Sequence, residues 1–238
     1  MNINRELKII WWAPERCATK VTAEILKKFG FEVINLKNNS TLKFSEAYHS
    51  HQIIFPEGYE DYRLICNVRN PYDRVLSFYL NFTSNGRSFV YLKNKKEELQ
   101  KRINTYVHEL FEYSINQKMN INFVDEVPIR DYVTKLTFDG KIPDQLIRME
   151  NLEEDLSNLD FLRESNFWKS GEIQEIVQNN KFRNSRPFEY RDLYTIDSAA
   201  KVFNYFRKHF FICDYDPFSF SKEQLSNEDK IKFLHEIC

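Results

Sequence analysis

Three short stretches of this chain carry side chains whose types and spacing can do chemistry. "APERCATK" (13–20) holds Arg16, Thr19 and Lys20 just after an apolar run. "VRNPYDRVLS" (68–77) sets Arg69 at the end of a second apolar run, with Ser77 eight residues on. "YHSH" (48–51) places His49 and His51 one residue apart. Arg and Lys bind anions, and Arg does so through a planar fork that matches phosphate. A histidine titrates near neutrality and can take a proton from a hydroxyl group. Together these groups offer two anion-binding segments and a candidate base.

The elements that must position these residues follow from pattern. "LKIIWWAP" (7–14) is a short apolar run ending at proline and predicts a buried strand. "TKVTAEILKKFG" (19–30) has helical spacing and stops at Gly30. "FEVINL" (31–36) alternates as a strand does, so strand, loop, helix and strand open a parallel α/β unit. "YRLICNVRN" (62–70) predicts a third buried strand, with Asn70 as N-cap and Pro71 at the first position of the next helix. Residues 93–117 predict a long amphipathic helix, 127–137 a helix, and 144–162 a strand followed by a helix. "NNKFRNSRPFEYRD" (179–192) is a polar, basic loop, and 198–217 an aromatic-rich helix. The expected fold class is α/β: a single P-loop-like domain over 1–238, with a central parallel sheet flanked by helices.

On that frame the segment 13–20 lies between the first strand and the first helix, where free N–H groups and the helix dipole converge on anions. Arg16 and Lys20 add positive charge there. The backbone N–H groups of Cys17 and Ala18 can donate, and Thr19 can cap the helix and offer its hydroxyl. Arg69 is placed to reach a second phosphate and Ser77 to donate to it, while Arg74 lies on another part of the helix surface. Glycine is scarce, at only 5 residues, and the loop has none, so G-x-x-x-x-G-K-[ST] is absent and an ATP-dependent kinase loses ground.

Composition bounds the rest. The hydrophobic share of 42% and the aromatic share of 16% belong to a folded chain. A net charge of -1 argues against nucleic-acid binding by bulk charge. "MNINRELKIIWWAPERCATK" lacks the pattern of a signal peptide, and no run approaches a membrane span, so a cytoplasmic protein without a membrane anchor is expected. The four cysteines (Cys17, Cys66, Cys213, Cys238) show no CxxC spacing, so reduced thiols and no metal are expected.

Both anion segments, in this order, resemble the sulfotransferases that use 3'-phosphoadenosine 5'-phosphosulfate (PAPS). "PERCATK" is similar to that family's 5'-phosphosulfate loop, with Arg16 at the basic position and Thr19 at the threonine. "RNPYDRVLSFY" (69–79) matches each fixed position of its R-[ND]-P-x-x-R-x-x-S-x-Y motif, which holds the 3'-phosphate. "YHSH" ahead of a strand and the R-N-P motif is similar to the uronyl 2-O-sulfotransferases, whose corresponding segment carries the catalytic histidine. "IRMENLEEDL" (147–156) and "KFRNSR" (181–186) also resemble family segments, the latter a basic loop over the cofactor that brings in Arg183 and Ser185. Cys17, bulkier than the usual small residue, and Glu15, a negative charge beside the anion site, depart from the pattern.

The resemblance implies PAPS as donor, PAP as product, no metal, and a hydroxyl-bearing acceptor such as a sugar. It implies Arg16 as the stabiliser of the leaving phosphate oxygen and a histidine as general base. In an extended segment His49 and His51 face opposite ways, so one of them enters the site. Position in the matching segment favours His51, leaving His49 to orient a neighbour or the acceptor. The alternatives are a non-catalytic PAP- or nucleotide-binding protein on the same fold and a small-molecule kinase.

Overall fold

The computed structural model describes residues 2–14, 16–35, 40–42, 58–82, 95–116, 142–183 and 188–237. These gather into two compact units. The first is Met1–Arg69 with Lys135–Ser185, and the second is Asn70–Thr134 with Arg186–Cys238.

The first unit is built on six described strands: β1 (Asn2–Asn4), β2 (Ile9–Trp12), β3 (Glu32–Asn35), β4 (Ser40–Leu42), β5 (Arg63–Val68) and β6 (Gln145–Arg148). Their order across the sheet is β4-β3-β1-β2-β5-β6. β2, β5 and β6 are parallel neighbours, in the register Trp12↔Cys66 and Val68↔Arg148. β1 pairs antiparallel with both β2 and β3, and β4 antiparallel with β3. The fold is therefore mixed α/β, as expected in class, but the sheet is mixed rather than parallel throughout. β2 and β3 do run the same way, joined by helix α1 (Thr19–Lys28), yet β1 lies between them. The chain makes a turn over Arg5–Lys8, with Lys8 at φ 51, before entering β2.

All four residues of β2 and five of the six of β5 are buried, as in strands covered on both faces. The core of the unit joins Ile9, Trp11 and Ile65 to Ile25 and Leu26 of α1 and to Ile147. After β6 and a 3-10 turn come four short helices: α4 (Leu152–Ser157), α5 (Asp160–Arg163), α6 (Asn166–Lys169) and α7 (Glu172–Arg183), numbered after the two helices of the second unit that precede them. Leu156, Leu162, Ile173 and Val177 from this run complete the core. Residues 179–183, expected in a loop, are the last turns of α7.

The second unit holds α2 (Pro71–Phe82), α3 (Lys96–Asn116), a 3-10 turn (Tyr190–Asp192), α8 (Ile196–Ile212) and α9 (Asn227–Ile237). Pro71 opens α2, and the Asn70 side chain accepts from Tyr72 N at 3.0 Å, so the expected cap is present. On α3, Leu99, Ile103 and Val107 recur every four residues and are buried against Val75, Leu76 and Tyr79 of α2 and Phe203, Phe206 and Phe210 of α8. α8 starts at a capping box between Thr195 and Ser198, bends at Phe206 and stops at Cys213, short of the expected 217. The helix expected over 127–137 lies outside the described residues.

Candidate functional site

The loop after β2 leads directly into α1 at the carboxyl end of the parallel strands, the edge where open α/β sheets hold ligands. Its backbone is unusual for a segment without glycine. Arg16 has φ 67, and Ala18, the N-cap residue of α1, has φ 56 and ψ 28. Left-handed residues alternating with ordinary ones curl a loop into a concave nest of N–H groups. Cys17 N donates to Pro14 O at 3.1 Å and closes the tight turn ahead of Ala18. Thr22 N donates to Ala18 O at 2.9 Å, the first hydrogen bond of the helix. The N–H groups of Thr19, Lys20 and Val21 thus occupy the first turn, where no intrahelical acceptor exists.

The side chains of the loop divide in two. The Thr19 hydroxyl donates to Pro14 O (3.0 Å) and Ala13 O (3.4 Å), so its proton braces the loop, and α1 has no side-chain cap. Arg16 is half-buried and Cys17 buried, while Lys20, the second residue of α1, is exposed.

Arg69 stands one residue past the end of β5, the strand beside β2. It is 5% exposed, and its Nη1 donates to Arg16 O at 3.0 Å. The arginine that ends one strand and the loop that leaves its neighbour are therefore in direct contact, so the two segments singled out by their chemistry meet. Ser77 belongs to the second unit, half-buried on α2 six residues past Pro71, about 9 Å along the helix axis. Arg74 is 1% exposed with its guanidinium over the Phe78 ring at 5.7 Å, so it is a buried residue of that unit and not a surface cation.

His49, His51 and Ser185 lie outside the described residues, and Arg183 ends α7 with its side chain outside them. Among the described residues no three His, Cys, Asp or Glu side chains gather as a metal site, and no helix is long and apolar enough to cross a membrane. An open groove of about 610 Å³ in the second unit, lined by Gln100, Lys101, Asn104, His108 and Thr195 among others, contains none of the candidate site residues.

Two features went unread in the sequence. Asn67, 1% exposed in the middle of the apolar run of β5, donates to Cys17 O and so touches the loop directly. A lone amide inside "LICNV" is the signal, because a buried polar group must find partners. Arg148, at the end of β6, is gripped by the buried Asp155 through Nε (3.1 Å) and Nη2 (2.9 Å), with a third bond from its backbone N at 2.6 Å. These bonds tie the end of β6 to α4. No protein-family model matches this chain, and no curated protein or solved structure is found to be similar to it.

Proposed function

We propose that the protein is a PAPS-dependent O-sulfotransferase on a P-loop-like arrangement of strand, loop and helix. The acceptor is a hydroxyl of a carbohydrate or another small alcohol. The observation that supports this reading most is the junction of the two anion segments. A loop with two left-handed residues opens onto the start of α1, and Arg69 from the neighbouring strand braces its Arg16 carbonyl. Two phosphates on one nucleotide suit two such segments. By their resemblance to the sulfotransferase motifs, "RNPYDRVLSFY" would give the 3'-phosphate to Arg69 and Ser77, and "PERCATK" the 5'-phosphosulfate to Arg16 and the loop amides.

In this reading the acceptor oxygen attacks sulfur in line. The new S–O bond forms as the bond from sulfur to the 5'-phosphate oxygen breaks, and PAP leaves. The acceptor proton passes to His51, with His49 orienting its surroundings. Negative charge grows on the bridging oxygen, where Arg16 and the N–H groups ahead of α1 stabilise it.

The test is a screen of hydroxyl acceptors with radiolabelled PAPS, run beside melting curves with PAP, ATP and adenosine. PAP at micromolar concentration is expected to raise the melting temperature and adenosine to leave it unchanged. Equal stabilisation by ATP and PAP sinks the donor assignment. PAP binding without transfer to any acceptor favours a non-catalytic binding protein.

A further inference from the structure

We infer that Asn67 is a positioning residue that sets the anion loop in its working conformation, through an amide whose orientation is fixed by Trp11. The inference rests on the reading of the 13–18 loop as the seat of the 5'-phosphate. The residues concerned all lie within the first unit.

The geometry admits one arrangement. The Trp11 indole N–H can only donate, and it meets Asn67 Oδ1 at 2.7 Å. The amide nitrogen is thereby turned the other way, where its two hydrogens have two acceptors, Cys17 O at 2.9 Å and Thr22 Oγ1 at 2.6 Å. Each participant is shut away from water: Trp11 is 0% exposed, Cys17 0%, Asn67 1% and Thr22 2%. A buried polar contact of this kind is costly to disrupt, because the group left behind has no water to turn to.

Its consequence for the loop follows from the planarity of the peptide. In a trans peptide the C=O and N–H of one unit point in opposite directions. By holding the Cys17 carbonyl toward β5, Asn67 aims the Ala18 N–H away from β5. The held carbonyl sits between the two left-handed residues, Arg16 and Ala18, where the backbone has most to gain by flipping to an ordinary conformation. The second hydrogen ties the same amide to Thr22, in the first turn of α1. One strand side chain therefore sets both the loop peptide and the helix start, while Arg69 holds the preceding peptide by its Arg16 carbonyl.

The experiment compares PAP with adenosine 3'-phosphate, which lacks the 5'-phosphate, on the full chain by calorimetry. Asn67→Asp keeps the acceptor for Trp11 and replaces the donor with an oxygen facing the Cys17 carbonyl. Thr22→Val removes one acceptor with little change of volume, serves if Asn67→Asp does not fold, and is paired with Thr22→Ser, which restores the hydroxyl. Thr22→Val and any folded Asn67→Asp are expected to weaken PAP about tenfold, the equivalent of one hydrogen bond, and to leave adenosine 3'-phosphate unchanged. Thr22→Ser is expected to bind PAP within about twofold of the parent. Equal losses for the two nucleotides, or equal PAP affinity in the Val and Ser variants, overturn the inference. Amide hydrogen exchange without ligand gives an independent reading: Cys17, Ala18 and Thr19 should exchange faster in Thr22→Val than in Thr22→Ser. If the parent chain ignores PAP, the sulfotransferase reading fails, and the exchange rates alone decide whether Asn67 holds the loop.

Discussion

Replacing Arg69 with alanine removes both its brace on the loop and the phosphate contact proposed for it. It is 5% exposed and donates from Nη1 to Arg16 O at 3.0 Å, so the fork is pinned on one side by the loop. A hydrogen bond from a charged donor is worth about 1.5–3 kcal/mol, which on a phosphate corresponds to a loss of roughly ten- to a hundred-and-fifty-fold in affinity. Ser77→Ala removes a neutral hydroxyl worth about 0.5–1.5 kcal/mol, a loss of roughly two- to tenfold. Arg69→Ala should therefore weaken PAP by about an order of magnitude more than Ser77→Ala. Arg69→Lys should fall between them, because it keeps the charge but not the fork. The assay is titration calorimetry with PAP on variants whose circular dichroism and melting curves show a folded chain. A folded Arg69→Ala variant that binds PAP within about twofold of the parent would refute the assignment of Arg69 to the nucleotide.

His51→Ala should lower turnover about a hundredfold at saturating PAPS while leaving PAP affinity intact, and the parent rate should fall as pH drops through the histidine range near 6.5; full activity in both His51→Ala and His49→Ala places the base elsewhere. Asp155→Ala strips three hydrogen bonds from Arg148, whose 40% exposed side chain can turn to water, so urea unfolding should show a loss of about 2–3 kcal/mol, and a loss below about 0.5 would count the grip as idle. Burial, followed by the nearby Tyr194, Asp216 and Tyr190, holds the Tyr72 hydroxyl well above the ordinary tyrosine value, so its contribution is intact below about pH 10 and is lost as pH rises from the unfolded value toward the raised folded one. Tyr72→Phe loses the bond to Pro217 O and should melt lower at pH 7, but its melting temperature should fall less steeply above pH 10; parallel slopes would remove Tyr72 as the source. Ala18→Gly relieves a left-handed alanine and should gain up to about 1 kcal/mol after the added freedom of the unfolded chain is subtracted, and a clear loss in urea unfolding would mean that the Ala18 methyl group packs for stability.

The readable parts of the fold are those whose signals are local. β2, α1 and β5 followed from apolar runs and helical spacing, and α2 from the Asn70-Pro71 start, each within a few residues. What was missed depends on partners distant in the chain. β1 and β4 have three residues each, too few to show a period, and β1 interposes itself between two strands that local order would pair. The last turns of α7 carry the polar residues of "QNNKFR", so polarity alone predicted a loop; the helix is held by Ile173 and Val177, buried further up its length. Of the candidate site, the place of the loop ahead of α1 and of Arg69 at the end of a buried strand was legible; that β5 lies beside β2, which brings Arg69 to the loop, was not, because strand order depends on pairings distant in the chain. The commitment of the Thr19 hydroxyl to two carbonyls was not legible, since a hydroxyl at a helix start has several acceptors within reach and sequence does not rank them.

The absence of glycine from the loop explains why it needs so many braces. An ordinary phosphate loop lets glycine adopt positive φ at little cost. Here an arginine and an alanine do so, at roughly 1–2 kcal/mol each. Opposing that strain are the Thr19 hydroxyl on Pro14 O, the Cys17 amide on the same carbonyl, Arg69 on Arg16 O and Asn67 on Cys17 O. Of these four, the bonds from Asn67 and Arg69 come from the neighbouring strand β5 and its end. The loop therefore takes its shape from the sheet as well as from its own residues. Bracing of this kind suits the proposed role, because donors fixed in advance need no reorganisation when charge develops. The Cys17 side chain is fully buried and its carbonyl is held by Asn67, so a residue larger than glycine is accommodated there without exposing its thiol.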